Sequence, residues 1–167
     1  GKQYFLMKTG LDADLKRLHA LKAHADKAEL KRNELIPKYA EFVEQYLSSE
    51  SRFDNEVFAY FIVWHFDVGS IDAALDLVRV AIDEAQPLPG AFRRDDWPTL
   101  AVDEILAWSR IQVGQGNSPM PYLGDIIETM DRGVWSINES LQGKCRKVFA
   151  EHLENMGDLK AAHAEYV

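Results

Sequence analysis

Two pairs of adjacent carboxylates, Asp95-Asp96 and Asp103-Glu104, are the residues in this sequence best suited to hydrolytic chemistry. A nuclease could use such groups to hold two metal ions, which stabilise the attacking and leaving oxygens. Adjacent residues on a helix point about 100° apart, however, so neither pair aims both carboxylates at one ion. Asp95 and Asp96 also precede a helix predicted after Pro98, where the helix dipole favours acidic side chains. We therefore expect capping rather than catalysis, with a metal-dependent endonuclease subunit as an alternative.

The histidines and the cysteine do not form a recognisable ligand set or nucleophile. His19 and His24 are five residues apart, whereas two metal ligands on one helical face need a spacing of three or four. His152 continues an apolar stripe that begins at Cys145, and the sequence marks no activating partner for the thiol. We predict no metal, no cofactor and no catalytic residue in this chain, with Cys145 as a small core residue.

Basic residues offer a second kind of chemistry, which is contact with nucleic-acid phosphates. Lys16, Lys27 and Lys31 lie within about 60° of one face of a helix with 3.6 residues per turn. Arg93 and Arg94 follow in a loop bounded by proline and glycine. Each of the five could be an ordinary solvated cation, and all five are candidate DNA-binding residues.

The charge balance restricts where such contacts can occur. The chain has a formal net charge of -8, which argues against its whole surface binding nucleic acid. Residues 1–45 carry nine Lys and Arg against seven Asp and Glu, whereas the remainder carries ten against twenty. Contact with a polyanion is therefore expected near the N-terminal helix or at the Arg93-Arg94 cluster.

The N-terminal part is predicted to form one long helix, because the sequence from Leu11 to about Leu35 has no proline or glycine. A bend is expected near Ile36, since Pro37 suits the first turn of a new helix. Polar residues at two heptad core positions make an extended coiled coil unfavourable, so packing against another subunit or the chain's own body is expected. The candidate oligomerisation residues on this loose heptad are Leu11, Leu18, Leu21, Ala25 and Ala28.

A buried central helix is predicted over Val57–Phe66, with Asp54 as its cap. Periodicity alone would also allow a buried strand, but the length of the run and the Gly69-Ser70 stop favour a helix. Further helices are predicted over residues 37–47, 71–85, 98–114, 122–130, 137–156 and 158–167. No stretch alternates like a strand, so the predicted fold is all-α.

The predicted organisation is one domain, with an N-terminal arm over residues 1–36 and a compact helical-hairpin body over residues 37–167. Gly69–Leu75 and Gly157–His163 each place a glycine and a capping Ser or Asp before paired alanines, as in tetratricopeptide-type hairpins. Their separation of 88 residues fits no multiple of that repeat. We predict structural hairpins, with a tetratricopeptide-like protein-binding scaffold as an alternative function.

Cysteine content and hydropathy indicate an intracellular protein. A single cysteine excludes an internal disulfide framework, and no secretory signal pattern is present. The most apolar window spans about ten residues, half of what a membrane-spanning helix needs. A reducing cytoplasm and no membrane contact are expected.

Three stretches together resemble one protein family: Glu29–Pro37, Val63–Leu75 and Leu88–Arg94, followed by Thr99 and Asp103-Glu104. From about Tyr4 to beyond Ile105 they run in the order found in the small terminase subunit of peduovirus-type temperate tailed phages, the GpM family. The positions that best match the family pattern are Leu35, Pro37, Trp64, Asp67, Gly69, Ala74, Leu75, Pro89, Phe92, Arg94 and Glu104. Most of them suit core, cap or turn positions, so they report the fold rather than chemistry.

The resemblance implies a role in viral DNA packaging. A member of this family binds the packaging-start site on concatemeric double-stranded phage DNA and forms a ring-like homo-oligomer. It delivers the DNA to the large terminase subunit, which carries the ATPase and the nuclease. Members are often labelled the terminase endonuclease subunit, although no cutting site is marked here. The implied location is the cytoplasm of the bacterial host.

Overall fold

The computed structural model describes the backbone of residues 1–165 and the side chains of residues 1–158. Throughout this range the regular structure is helical and contains no β-strand, which confirms the all-α prediction. The chain divides into two compact units, Gly1–Trp97 and Pro98–Val167. No helix among the described residues has both the length and the apolar content that crossing a bilayer requires.

The first unit contains five α-helices and two short helical turns of other types. In chain order they are α1 (Lys2–Ala20), α2 (His24–Leu30), a π-helical turn (Lys31–Leu35), α3 (Ile36–Ser48), α4 (Glu56–Asp67), α5 (Ile71–Asp83) and a 3₁₀ turn (Gly90–Phe92). The second unit contains α6 (Trp97–Gly114), which begins at the last residue of the first unit, then α7 (Tyr122–Asp131) and α8 (Glu139–Glu165).

Helix α4 is the centre of the first unit, as its apolar sequence predicted. It contacts α1, α3 and α5, and most of its side chains are buried. The Trp64 ring lies 5.6 Å from the Tyr39 ring of α3, and Phe58 lies 5.5 Å from Tyr46. Asn55, not Asp54, caps the helix, because its side chain accepts a hydrogen bond from the Phe58 N–H at 3.0 Å.

The predicted long helix from Leu11 to Leu35 is wrong. Leu21 has extended backbone torsions (φ -81°, ψ 138°), so α1 ends at Ala20 and the chain reverses into α2. Contacts between Gln3 and Gln45 and between Arg17 and Glu34 show that α1 runs antiparallel to the helical run that follows. No glycine, proline or side-chain cap marks the break, so packing of α1 onto the chain's own body fixes it.

The bend expected near Ile36 is also absent, because α2, the π-helical turn and α3 form one continuous helical run from His24 to Ser48. Pro37 has no N–H to donate, and in a regular helix its ring would clash with the carbonyl four residues earlier. The π turn widens the helix just before Pro37, with the Ile36 N–H donating to the Lys31 carbonyl five residues back. The proline is accommodated inside a helix instead of starting one.

The two glycine turns predicted from similar sequences have different outcomes. Gly69 has φ +80° and ends α4, and the Ser70 N–H donates to the His65 carbonyl at 2.9 Å. Gly157 lies inside α8, which continues to Glu165, so the second hairpin turn is wrong. Of the two hairpins that suggested a tetratricopeptide-like arrangement, only the α4–α5 hairpin is formed.

This difference predicts opposite effects of the same substitution. Gly69→Ala places a side chain in the left-handed region and should cost about 1–2 kcal/mol of unfolding free energy. Gly157→Ala adds a better helix former where no atom lies within 4 Å, so it should leave the melting temperature unchanged or raise it. Thermal melts followed by circular dichroism would compare the two variants. An equal loss in both would contradict the helical assignment of Gly157.

Candidate nucleic-acid interface

The hairpin formed by α1 and the helical run after it is held together by a buried carboxylate. Asp14 on α1 is only 2% exposed. It accepts hydrogen bonds from the Tyr39 hydroxyl at 2.6 Å, the Lys38 ammonium at 2.8 Å and the Arg17 guanidinium at 3.0 Å. Burial alone would raise the pKa of Asp14, but these three donors outweigh it and lower the pKa below its ordinary value. The carboxylate therefore stays ionised and ties α1 to α3.

A second ion pair spans the hairpin nearer its tip. Arg17 binds Glu34 through two parallel hydrogen bonds of 2.8 and 2.9 Å. The pair lowers the pKa of the Glu34 carboxyl and raises that of the Arg17 guanidinium. Both side chains are about half exposed, so the pair fixes geometry more than it adds stability.

The chain reverses between Lys16 and Lys27, so the single basic helix face predicted for Lys16, Lys27 and Lys31 does not form. The Lys31 ammonium lies 2.7 Å from the Asp67 carboxylate at the end of α4, and its side chain is only 16% exposed. Lys31 therefore has a structural role, joining the π turn to the central helix.

The tip of the hairpin is where unpaired positive charge collects. Lys16 lies one turn before the end of α1 and Lys27 lies in the second half of α2. Neither side chain makes a hydrogen bond or ion pair with any residue whose side chain is described. Helix α2 has no buried residue, so the tip extends beyond the packed core.

Three further residues belong to this surface and were missed by sequence analysis: His19, Lys22 and His24, all exposed. They lie at or next to the reversal. A single long helix would have spread these side chains around its circumference. We call Lys16, His19, Lys22, His24 and Lys27 the basic tip. At 1.5 Å per helical residue, Lys16 is only about 6 Å along α1 from Ala20, so all five residues lie within about two helical turns of the reversal.

Arg93 and Arg94 occupy the loop after the 3₁₀ turn. Arg93 has φ +54°, in the left-handed region, and its side chain is exposed. The Arg94 guanidinium folds back to donate to the carbonyls of Phe92 at 3.3 Å and Arg93 at 3.1 Å. The Arg93 side chain makes no hydrogen bond or ion pair with the described residues.

The candidate oligomerisation residues fall into two groups. Leu11 and Leu18 are buried at 0% and 7% exposure, in the core beneath α1. Leu21 and Ala28 are half-buried and Ala25 is exposed, all near the tip. Leu11 and Leu18 therefore serve intramolecular packing, and Leu21, Ala25 and Ala28 remain candidates for a contact between subunits.

The remaining candidates lie apart from one another. Cys145 is fully buried on α8, and burial raises the pKa of its thiol to about 11, as expected for a core residue. Asp95 and Asp96 are exposed before α6, while Asp103 and Glu104 are half-buried within it and engaged with other residues. Among the side chains described, no three His, Cys, Asp or Glu come together as a metal-binding group.

Comparison with known proteins agrees with the resemblance in sequence. A family model described as "Phage small terminase subunit" matches residues 8–138. The chain belongs to the phage small terminase subunit family. The matched range contains the whole basic tip and all of the family-pattern positions, and it ends before α8.

Two curated relatives of this small terminase subunit come from bacteriophages. The "Probable terminase, endonuclease subunit" of Haemophilus phage HP1 (strain HP1c1) is 28% identical over 150 residues, which cover 90% of this chain and 53% of that protein. The "Terminase, endonuclease subunit" of Escherichia phage P2 is 26% identical over 162 residues, which cover 96% of this chain and 64% of that protein. The chain thus spans between about half and two thirds of the length of these relatives. No solved structure matches it.

The family-pattern positions of this small terminase subunit have structural roles. Leu35, Trp64 and Ala74 are buried at 2% exposure or less. Asp67 holds Lys31, and Gly69 supplies the left-handed residue that ends α4. These residues position the hairpin and its tip without belonging to the tip.

Proposed function

We propose that this small terminase subunit binds double-stranded phage DNA through the basic tip and presents the DNA to the large terminase subunit for packaging. It would do so as a homo-oligomer in the host cytoplasm. The observation that carries the proposal is the concentration of unpaired cations at one protruding corner of the first unit, in a chain with net charge -8. Phosphate contact needs cations that are not already neutralised.

Charge pairing supports the tip over the other candidates. Lys8, Arg17, Lys31 and Lys38 all form ion pairs with carboxylates within the first unit. Lys16, Lys22 and Lys27 make none with the described residues, and Asp26 is the only carboxylate between Lys16 and Lys27. The first unit therefore neutralises four cations near its core and leaves the tip lysines available, and Arg32 of the π turn likewise makes no ion pair with the described residues.

A few weak contacts in each subunit would be enough in an oligomer. Three lysines supply only modest affinity, but repetition around an assembly raises the effective concentration of each following contact. The acidic remainder of the chain acts only weakly beyond a Debye length of about 8 Å at physiological salt. Local charge at the tip, rather than overall charge, then decides binding.

The test reverses the charge of the three tip lysines, none of which belongs to a structural ion pair. Lys16→Glu with Lys22→Glu and Lys27→Glu should weaken binding of phage DNA at least tenfold in a filter titration at about 0.15 M salt. The plot of log affinity against log salt should become less steep by about 3, one unit for each lost phosphate contact. Circular dichroism should show an unchanged fold, because none of the three lysines supports the core.

Two matched variants separate the tip from other cations. Lys144→Glu with Lys147→Glu reverses two exposed lysines of α8 and should leave DNA affinity within twofold. Arg93→Glu should have a smaller effect than the tip variant, since it changes one charge beside Asp95 and Asp96. Greater loss from Arg93→Glu would move the interface to the loop, and equal affinity in all variants would refute the proposal.

A nuclease role is the second candidate function, favoured by the printed names of the two relatives. It predicts that the purified chain with Mg²⁺ cuts concatemeric phage DNA without the large subunit. Cleavage that disappears in Asp103→Asn with Glu104→Gln, while DNA binding persists, would assign catalysis to this chain. Cleavage only after the large subunit is added would place the nuclease there.

A further inference from the structure

The π-helical turn carries two neighbouring polar side chains on its solvent side. Arg32 and Asn33 are both exposed. Neither side chain makes a hydrogen bond or ion pair with any residue whose side chain is described. Their donors and acceptors are therefore available to a ligand. We call Arg32 and Asn33 the exposed pair.

The residues on either side of the exposed pair are held by neighbouring helices. The Lys31 ammonium lies 2.7 Å from the Asp67 carboxylate of α4. Glu34 accepts two hydrogen bonds from the Arg17 guanidinium of α1, and Leu35 is fully buried. The backbone under the exposed pair is thus fixed to two other helices of the first unit. A recognition site needs such support, because its side chains must meet their ligand with accurate geometry.

The exposed pair has the chemistry that reads DNA bases. In the major groove, arginine donates two parallel hydrogen bonds to O6 and N7 of guanine, and asparagine pairs with N6 and N7 of adenine. The basic tip consists of lysine and histidine. A lysine ammonium is a point charge without a fixed fork, which suits contact with phosphates. The π turn and the tip therefore offer the two kinds of contact, to bases and to phosphates, that a specific protein–DNA interface combines.

The exposed pair is also close enough to the basic tip for both to meet one duplex. Lys27 and Arg32 are separated by about 7 Å along the helical run, which is less than the major-groove width of about 12 Å. Glu29 is exposed one turn before Arg32 and makes no ion pair with it. A carboxylate repels phosphates but accepts a hydrogen bond from the cytosine amino group. This side of the run therefore suits the floor of the groove better than the DNA backbone.

We propose that the exposed pair determines the sequence preference of this chain by reading base edges in the major groove. Arg32 would pair with a guanine and Asn33 with an adenine, while the basic tip holds phosphates at the edge of the same groove. The inference rests on the proposed DNA binding. It assigns overall affinity and sequence preference to different residues, so the two can be changed separately.

The test begins with the wild-type chain selecting a consensus from a pool of duplexes with a randomised centre. The consensus should contain a guanine and an adenine at fixed positions. Filter titration then compares the consensus duplex with a scrambled duplex of the same composition. Arg32→Lys with Asn33→Ala keeps the net charge but removes both bidentate contacts, so the preference for the consensus should fall at least ~10-fold. Affinity for the scrambled duplex should stay within about twofold, because the phosphate contacts remain.

The tip variant with three reversed lysines should show the opposite pattern. It should bind both duplexes more weakly by a similar factor and keep its preference. Arg79→Lys, which changes an exposed arginine of α5, should alter neither quantity. An unchanged preference in Arg32→Lys with Asn33→Ala, an equal loss on both duplexes, or a wild type that selects no consensus would each overturn the inference. Failure of the tip variant to weaken binding would refute the basic tip instead, so the two failures have different signatures.

Discussion

Replacing Gln86 by leucine should destabilise the first unit by about 3 kcal/mol of unfolding free energy, more than the loss of any other buried polar side chain in that unit. Gln86 is 6% exposed. Its side-chain carbonyl accepts from the Asn55 N–H at 2.9 Å, and its amide donates to the Tyr46 hydroxyl at 2.6 Å and the Phe53 carbonyl at 2.8 Å. Leucine fills similar space but leaves the buried Asn55 N–H without its acceptor, which costs about 1–3 kcal/mol, and removes one hydrogen bond each from the Tyr46 hydroxyl and the Phe53 carbonyl.

The surrounding contacts explain why so much depends on one amide. The Tyr46 hydroxyl also donates to Glu84 at 2.8 Å, and burial followed by that hydrogen bond raises the pKa of Tyr46 to about 12. The Gln86 backbone carbonyl accepts from the Trp97 indole N–H at 2.9 Å. Gln86 thus joins the segment before α4 to the segments on both sides of the 3₁₀ turn.

Urea denaturation would measure the effect as a lower midpoint with an unchanged slope. Gln45→Leu is the matched control, because Gln45 is exposed and should change the free energy of unfolding by less than about 0.5 kcal/mol. A Gln86→Leu variant as stable as Gln45→Leu would mean that the hydrogen bonds of Gln86 add no net stability.

Removing the Asp14 carboxylate should have the second largest effect, about 2–3 kcal/mol for Asp14→Ala. The loss comes mainly from the Tyr39 hydroxyl, which is fully buried and would have no acceptor. Lys38 and Arg17 are each 47% exposed, so water can solvate them once the carboxylate is gone.

The same carboxylate predicts how stability depends on pH. The folded pKa of Asp14 lies below the ordinary value of about 3.9, so the folded state favours the ionised form. Its stabilising contribution is therefore complete above the unfolded pKa and is lost as the pH falls from about 5 through the folded pKa. The stability difference between the wild type and Asp14→Asn should shrink between about pH 6 and about pH 3.

Asp76→Asn provides the control for this pH dependence. Asp76 pairs with Arg79 at the surface, with side chains 77% and 65% exposed, and such pairs add little stability. Chemical denaturation at several pH values should show a nearly constant difference for Asp76→Asn. A constant difference for Asp14→Asn as well would refute the role assigned to its ionised form.

Helix boundaries that depend on nearby residues could be predicted from the sequence. Boundaries that depend on packing between helices could not. The apolar run around Trp64 and the Gly69 stop act within a few residues, so α4 and its end were predictable. The reversal at Leu21 has no local breaker, because it is set by contacts of α1 with α3 and α4. Gly157 has the composition of a turn but continues α8, since a glycine weakens a helix without ending it.

The same distinction applies to the candidate interface. Charge alone was enough to select Lys16 and Lys27 as candidate DNA-binding residues. Sequence spacing could not reveal that Lys31 pairs with Asp67, which is 36 residues away and meets it only in the folded chain. Lys22 became a candidate only after the reversal placed it at the tip.

The π-helical turn at Lys31–Leu35 sets the rotational phase of His24 and Lys27 relative to the buried face of α3. One extra residue in a helical turn rotates everything beyond it by about 100° around the helix axis. Deleting a residue there would swing His24 and Lys27 by almost a third of a revolution while the buried face of α3 stayed in place. The gain or loss of one codon within this turn would therefore change the direction in which half of the basic tip faces.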